Sequence, residues 1–227
     1  MKDYFDALDP KKNIHNGLPV ARPGLIFILS LTVLVLLALT VRSFGLAAII
    51  FLATLFTAWF FRDPARPTPP TGFGLSPADG RVIKIECQES NPFIDGPAWK
   101  ISIFMSIFNV HINRTPLDGR LTRQIYCPGT FFNASLDKAN KQNERNALIL
   151  ETDEGPIAVV QIAGLIARRI VSWVGEGDWM ERGQRFGLIR FGSRLDLYLP
   201  VESEIMVVIG QHLQAGWSPV WRRRTDQ

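Results

Sequence analysis

The sequence predicts a mainly β fold, an antiparallel sandwich or barrel-like domain preceded by an N-terminal apolar helical hairpin. Three observations carry that prediction. Beyond residue 80, nine short runs rich in Ile, Val and Phe, among them 99–113 and 204–210, alternate with Gly, Pro, Asp and Asn, the pattern of short strands joined by turns. Between residues 24 and 61, 29 of 38 residues are apolar and Arg42 is the single charge, which suits helices in an apolar medium. Outside that block about 41% of the residues are apolar, enough for a soluble domain with its own core.

Length and composition narrow the class further. The 227 residues allow one ordinary domain and an additional segment. A fully disordered chain and a polytopic membrane protein are excluded. So is a disulfide-stapled secreted module, since Cys87 and Cys127 are the only cysteines; they read as free thiols in a reducing compartment.

The elements follow in order. Residues 1–23 are a basic N-terminal segment containing Lys11, Lys12 and Arg22. Two apolar runs, 24–41 and 46–61, are separated by Arg42-Ser43-Phe44-Gly45. As helices they would reach about 27 and 24 Å, against a hydrocarbon core of about 30 Å. A tight membrane-associated hairpin over 24–61 is therefore expected. A signal peptide would begin earlier and show a small-residue cleavage pattern. Arg62, Arg66 and Arg81 follow the hairpin as Lys11, Lys12 and Arg22 precede it. The positive-inside bias then puts both ends, and the main domain, on the cytoplasmic side of the cell membrane.

Residues 62–75 (RDPARPTPPTGFGL) hold four prolines and two glycines and read as a linker. Residues 76–227 form the β-rich domain. Within it, residues 101–107 carry large apolar groups on both faces, as a strand buried on two sides does. The polar stretch 133–146 has too few apolar residues to pack and is expected to be a loop or an exposed helix. Trp217, Trp221 and Arg222-Arg223-Arg224, with a net charge of +4, suit either a face resting on anionic headgroups or a solvated tail. No nucleic-acid motif accompanies the basic residues.

Candidates for chemistry are few. No metal pattern is present: His15, His111 and His212 lie far apart, and the cysteines form no CxxC. Gly175-Glu176-Gly177-Asp178 lacks a strand-to-helix context and reads as a hairpin turn. Asp79 in SPADGRV, His111 in NVHINR and Ser193 in RFGSRLD each have an ordinary reading as a turn residue, a strand-end histidine and a small residue after a glycine bend. Together they are the residue types of an acid–base–nucleophile constellation, placed at strand ends where all-β folds display functional groups. Residue types alone leave both readings open.

Three segments add to this: SPADGRV, FMSIFNVHINRTPLDG and ERGQRFGLIRFGSRLDLYLP, in that order behind an apolar hairpin. They resemble the phosphatidylserine decarboxylase proenzymes of the short, pyruvoyl-dependent type, over most of the chain from Arg62 to about Gly210. Asn143-Glu144-Arg145 also resembles a segment of that family.

The resemblance implies an enzyme that converts phosphatidylserine to phosphatidylethanolamine and carbon dioxide. It implies self-cleavage between Gly192 and Ser193, giving a β chain (1–192) and an α chain (193–227) that stay together as a heterodimer. Ser193 would become a covalent pyruvoyl group, whose ketone takes up the serine amine and acts as the electron sink when carbon dioxide leaves. His111 matches the base and Asp79 the residue that orients it. Glycine before the serine leaves the attacked carbonyl open. One departure stands out: some relatives carry a second histidine where this chain has Phe108, so the proton donor here is His111, a tyrosine or water. Two other readings are a pyruvoyl decarboxylase for an ether-linked serine lipid and a non-enzymatic, membrane-tethered lipid-binding β domain.

Overall fold

A computed structural model describes residues 19–67, 69–129, 143–164, 169–190 and 193–224. The chain forms two compact units, Met1–Ala65 and Arg66–Gln227.

In the first unit, α1 (Arg22–Thr40) and α2 (Phe44–Phe60) make a hairpin. Pro23 sits in the first turn of α1, where its missing N–H costs nothing. Arg42, at φ 56°, makes the reversal. The open ends are tied together by Ala21 N–H to Phe61 O and Asp63 N–H to Pro19 O, both 2.8 Å. Most apolar side chains, among them Ile26, Val41, Ile49 and Leu52, are exposed. The hydroxyls of Thr32, Thr54 and Thr57 donate to carbonyls four residues back at 2.8 Å, so they need no water. α1 is long and apolar enough to cross a membrane, and α2 is a shorter apolar helix; at about 1.5 Å per residue they reach about 28 and 26 Å.

The second unit has strands β1 (Gly74–Leu75), β2 (Gly80–Gln88), β3 (Ala98–Met105), β4 (Ile112–Arg114), β5 (Gly119–Cys127), β6 (Arg145–Thr152) and β7 (Gly155–Ala163). They are followed by β8 (Ile170–Ser172), β9 (Trp179–Met180), β10 (Arg185–Ile189), β11 (Ser193–Pro200), β12 (Ser203–Ile205), β13 (His212–Leu213) and β14 (Pro219–Arg223). Eight form one curled antiparallel sheet in the order β13-β2-β3-β11-β7-β6-β5-β9. Two three-stranded sheets, β1-β14-β12 and β4-β10-β8, accompany it. The expected antiparallel, barrel-like architecture thus takes the form of a half-barrel with two small flanking sheets.

Period-2 alternation sorts the side chains of the large sheet. One face supplies Val82, Ile101, Ile103, Val159, Leu195 and Leu197 to the main core, which Phe186 and Trp221 join. The other face carries a smaller cluster with Ala158, Val160, Ile162 and Tyr198. Buried beside it, Arg194 grips Asp196 through Nε–Oδ1 (2.6 Å) and Nη2–Oδ2 (2.7 Å), with Lys100 Nζ 3.6 Å from Oδ2. Burial, and then the Asp196 charge, push the Tyr198 phenol well above its ordinary range.

Three local expectations are corrected. The apolar run from 99 to 113 is not one strand: β3 stops at Met105 because Asn109 Oδ1 accepts the Ser106 N–H (2.9 Å) and closes a turn. The run 204–210 keeps strand geometry only to Ile205. Beyond it, Gln211 donates its N–H to Val208 O and accepts the Val208 N–H on Oε1, both 3.1 Å, which bends the chain and leaves Val208 and Ile209 exposed. The C-terminal basic stretch is not a solvated tail, and of its two tryptophans only Trp217 is exposed. It is β14, with Trp221 fully buried and donating Nε1–H to Glu154 Oε2 at 3.1 Å, and Arg222 pairs with Glu204 at 2.7 and 2.8 Å. Gly175–Asp178 is a turn, with Gly177 at φ 93°. Of the polar stretch 133–146, residues 133–142 lie outside the described residues; Asn143 and Glu144 lead into β6.

Candidate active site

The site is built at one end of the large sheet, around β3. Its neighbours there are β2, with Arg81 opposite Phe104, and β11, with Ser193 opposite Met105. Asp79, just ahead of β2, and Ser193, at the start of β11, therefore flank the same end of β3, with backbones about 10 Å apart across two strand spacings. Gly80 makes this approach possible: a Cβ there would lie 2.2 Å from the Phe104 carbonyl oxygen.

Asp79 is buried, and its carboxylate is fixed. Arg66 reaches it in a fork, Nη1–Oδ1 at 2.5 Å and Nη2–Oδ2 at 2.8 Å, and the Ala215 N–H donates to Oδ1 at 2.8 Å. A carboxylate offers about four lone-pair directions, so these three bonds leave room for one more donor. The same Arg66 also donates to Ala215 O at 2.8 Å.

His111 enters from the turn before β4. Its carbonyl accepts the Ile189 N–H (3.4 Å), and Ile112 pairs with Leu188, so its backbone lies against the strand that leads toward Ser193. The ring is buried, with the residue 3% exposed. Arg114 N–H donates to Pro77 O at 3.0 Å, which brings the chain around Asp79 against the chain after His111. Gly187 on β10 permits the close contact on its other side, since a Cβ there would meet Val171 O at 2.3 Å.

Ser193 is fully buried and paired on both sides, with Met105 and with Ala163. Its hydroxyl donates to Met105 Sδ at 3.3 Å. A thioether is a weak acceptor, so this hydroxyl is dry and held only lightly. Ala163 is itself pinned: its N–H donates to Glu144 O (2.9 Å) and its carbonyl accepts Asn143 Nδ2 (2.7 Å). Gly192 lies outside the described residues.

Several contributors have no motif of their own. Arg66 sits in a proline-rich stretch that reads as linker. Asn113, Asn146 and Gln161, each buried, form hydrogen bonds to one another on the face that carries Ser193. The readable signal for Gln161 is an amide inside the apolar run PIAVVQIAG. Nearby, the Arg190 N–H donates to Arg169 O at 3.2 Å; burial, and then the Arg169 charge, lower the Arg190 pKa. The region thus holds a nucleophile type in a dry position, a buried imidazole, a fixed carboxylate and a pair of guanidiniums.

The family described as phosphatidylserine decarboxylase matches residues 53–220. A phosphatidylserine decarboxylase proenzyme of Syntrophus aciditrophicus is 48% identical over 204 residues, covering 88% of this chain and 96% of that protein. The corresponding proenzymes of Paraburkholderia phymatum (48% over 198 residues; 86% and 93%) and Desulfotalea psychrophila (47% over 201 residues; 87% and 94%) are similar along almost the same extent. With Asp79, His111 and Ser193 all inside the matched span, the chain belongs to the phosphatidylserine decarboxylase family.

Proposed function

We propose that this chain is a self-processing decarboxylase that converts phosphatidylserine to phosphatidylethanolamine and carbon dioxide, using a pyruvoyl group made from its own Ser193. The observation that carries the reading is the placement of Ser193, fully buried at the start of a central strand, in a chain similar over nearly nine-tenths of its length to proteins named as proenzymes.

Processing begins with His111 taking the Ser193 hydroxyl proton while Asp79 holds the imidazole in orientation. The Ser193 oxygen attacks the Gly192 carbonyl carbon and the amide becomes an ester. Removal of the Ser193 α-proton then expels the Gly192 carboxylate, and addition of one water with loss of ammonia leaves the pyruvoyl terminus.

The surroundings of Ser193 fit such a group. The position is closed to solvent, and among the described residues its hydroxyl has only a thioether as partner, so a small ketone meets neither water nor a stronger polar contact there. When present, the group supplies the electron sink for decarboxylation. The chain's own residues exclude water, and His111, buried against the strand that leads to Ser193, would supply the proton that takes the place of carbon dioxide, a role Phe108 cannot fill.

The proposed organisation is a basic segment (1–23), a membrane hairpin (24–61), a linker (62–75) and a catalytic domain (76–227), cut into a β chain of 1–192 and an α chain of 193–227. Support for a lasting heterodimer comes from β11, which is hydrogen-bonded to β3 along eight residues and to β7 along six. Support for the membrane comes from the exposed apolar surface of α1 and α2. Their open ends carry Arg22 and Arg62, and this positive charge supports a cytoplasmic location, at the cell membrane, for that end and the domain after it.

The test is Ser193→Ala in the full chain, followed by denaturing gel and by carbon dioxide release from serine-labelled vesicles. One uncut, inactive chain is expected. A variant that is cut or active would overturn the proposal.

A further inference from the structure

Three buried amides, joined at one end by the half-buried Gln124, form one continuous, polarised chain that ends beside residue 193. Gln124 Nε2 donates to Asn146 Oδ1 (3.1 Å), Asn146 Nδ2 to Gln161 Oε1 (3.0 Å), and Gln161 Nε2 to Asn113 Oδ1 (2.8 Å). Each link fixes the next amide's orientation, because an amide whose oxygen accepts must present its NH2 on the other side. Cross-strand pairing sets the order: Asn146 stands opposite Gln161, and Gln161 opposite Leu195. The last amide, Asn113, therefore has its NH2 turned away from Gln161.

Among the described residues, that NH2 finds only weak acceptors. Pro77 O lies at 3.5 Å and Met105 Sδ at 3.8 Å, both at or beyond a good hydrogen-bond length. The residue is fully buried, so water does not replace them. The same sulfur receives the Ser193 hydroxyl at 3.3 Å. The donor and the hydroxyl thus share one thioether and lie within about 7 Å of each other. Three buried neutral amides in a row are a costly way to fill core positions that leucine would fill, and their dipoles add in one direction.

The geometry points to Asn113 as a hydrogen-bond donor for the oxygen that gains negative charge when residue 193 reacts, with Gln161 and Asn146 as the positioning residues that hold its amide in the donating orientation. A preset donor in a dry site costs no reorganisation when charge develops and acts more strongly than in water. This inference rests on the reading of Ser193 as the self-cleaving residue.

The test uses the full chain, made by cell-free translation with phosphatidylethanolamine–phosphatidylglycerol vesicles, and follows conversion to two chains on denaturing gels from pH 5.5 to 8.5. Asn113→Asp keeps the acceptor for Gln161 and removes the donor; it is expected to slow cleavage by about 10²–10³-fold. Gln161→Glu keeps the acceptor for Asn146 but donates to Asn113 only when protonated. Its rate relative to wild type is expected to be low at pH 8.5 and to rise at least about tenfold by pH 5.5. Among the described residues, Gln161 is faced by Asn146, Leu195, Asn113 and the Gly187 backbone, none of which titrates. Melting curves of both variants accompany the rates, and if Asn113→Asp does not fold, the Gln161→Glu ratio decides. Folded Asn113→Asp that cleaves within about threefold of wild type, or a flat Gln161→Glu ratio, overturns the inference alone. A wild-type chain that is never cut at residue 193 overturns the reading of Ser193 and this inference with it.

Discussion

The Ser193 hydroxyl points at the sulfur of Met105, 3.3 Å away, on directly paired positions of β11 and β3. This contact keeps water off the hydroxyl without locking it into a strong bond. Met105→Leu, which preserves volume, is expected to cost less than about 1.5 kcal/mol and to leave cleavage intact. Met105→Ala should cost about 2–5 kcal/mol and expose Ser193 to solvent. Melting temperatures and gel-based cleavage rates of the two variants check this; equal behaviour of both would remove Met105 from the account.

Arg66 controls Asp79. Its fork, with the Ala215 N–H, leaves the carboxylate only one free direction, so Arg66→Ala is expected to loosen Asp79 and slow cleavage by at least about tenfold, while Arg66→Lys, which cannot make the fork, recovers part of the rate. Cleavage half-times of the three chains decide. A rate unaffected by Arg66→Ala would show that Asp79 needs no such support.

Arg190 stands just ahead of Ser193 in the chain and donates its N–H to Arg169 O, and burial plus the Arg169 charge make the Arg190 cation harder to keep. An anionic headgroup relieves that repulsion. Arg190→Gln is therefore expected to raise KM for phosphatidylserine vesicles by about tenfold with a smaller change in kcat. Steady-state rates at several surface densities of substrate test it, and a pure kcat effect would count against a binding role.

Acid stability should depend on Glu86. Burial alone would raise its pKa, but the Lys84 hydrogen bond, with the Lys100 and Lys84 charges, holds it below 4.5. A depressed folded pKa contributes stability above the unfolded value, lost as pH falls through the lower folded one. Wild type is thus expected to lose melting temperature below about pH 4.5 more steeply than Glu86→Gln. Parallel curves would contradict this.

Much of this fold was legible in the residues, for physical reasons that can be named. Apolar alternation between Gly, Pro and Asn turns marks β2, β5, β6, β7 and β11 because each must bury at least one face. The break between β3 and β4 was hidden, since Ile107 and Phe108 continue the apolar run and the stop comes from a single Asn109 side chain. Strand β14 was hidden for the opposite reason: its arginines read as solvated, although Trp221 anchors it in the core. Asp79, His111 and Ser193, the residues proposed for the chemistry, stand out through their segments SPADGRV, NVHINR and RFGSRLD. Arg66 does not, because a contact thirteen residues along a proline-rich stretch has no local signature. Gln161 was visible as an oddity in PIAVVQIAG, but its partners on β4 and β6 come only from the register.

The central claim, that Ser193 becomes a pyruvoyl terminus through self-cleavage, is tested most directly by an intact mass spectrum of the purified, denatured protein. The account predicts two chains, 1–192 and 193–227, the second lighter than a Ser-terminated fragment by one ammonia. A single species at the full 227-residue mass, or an α chain that keeps its serine amine, would contradict it.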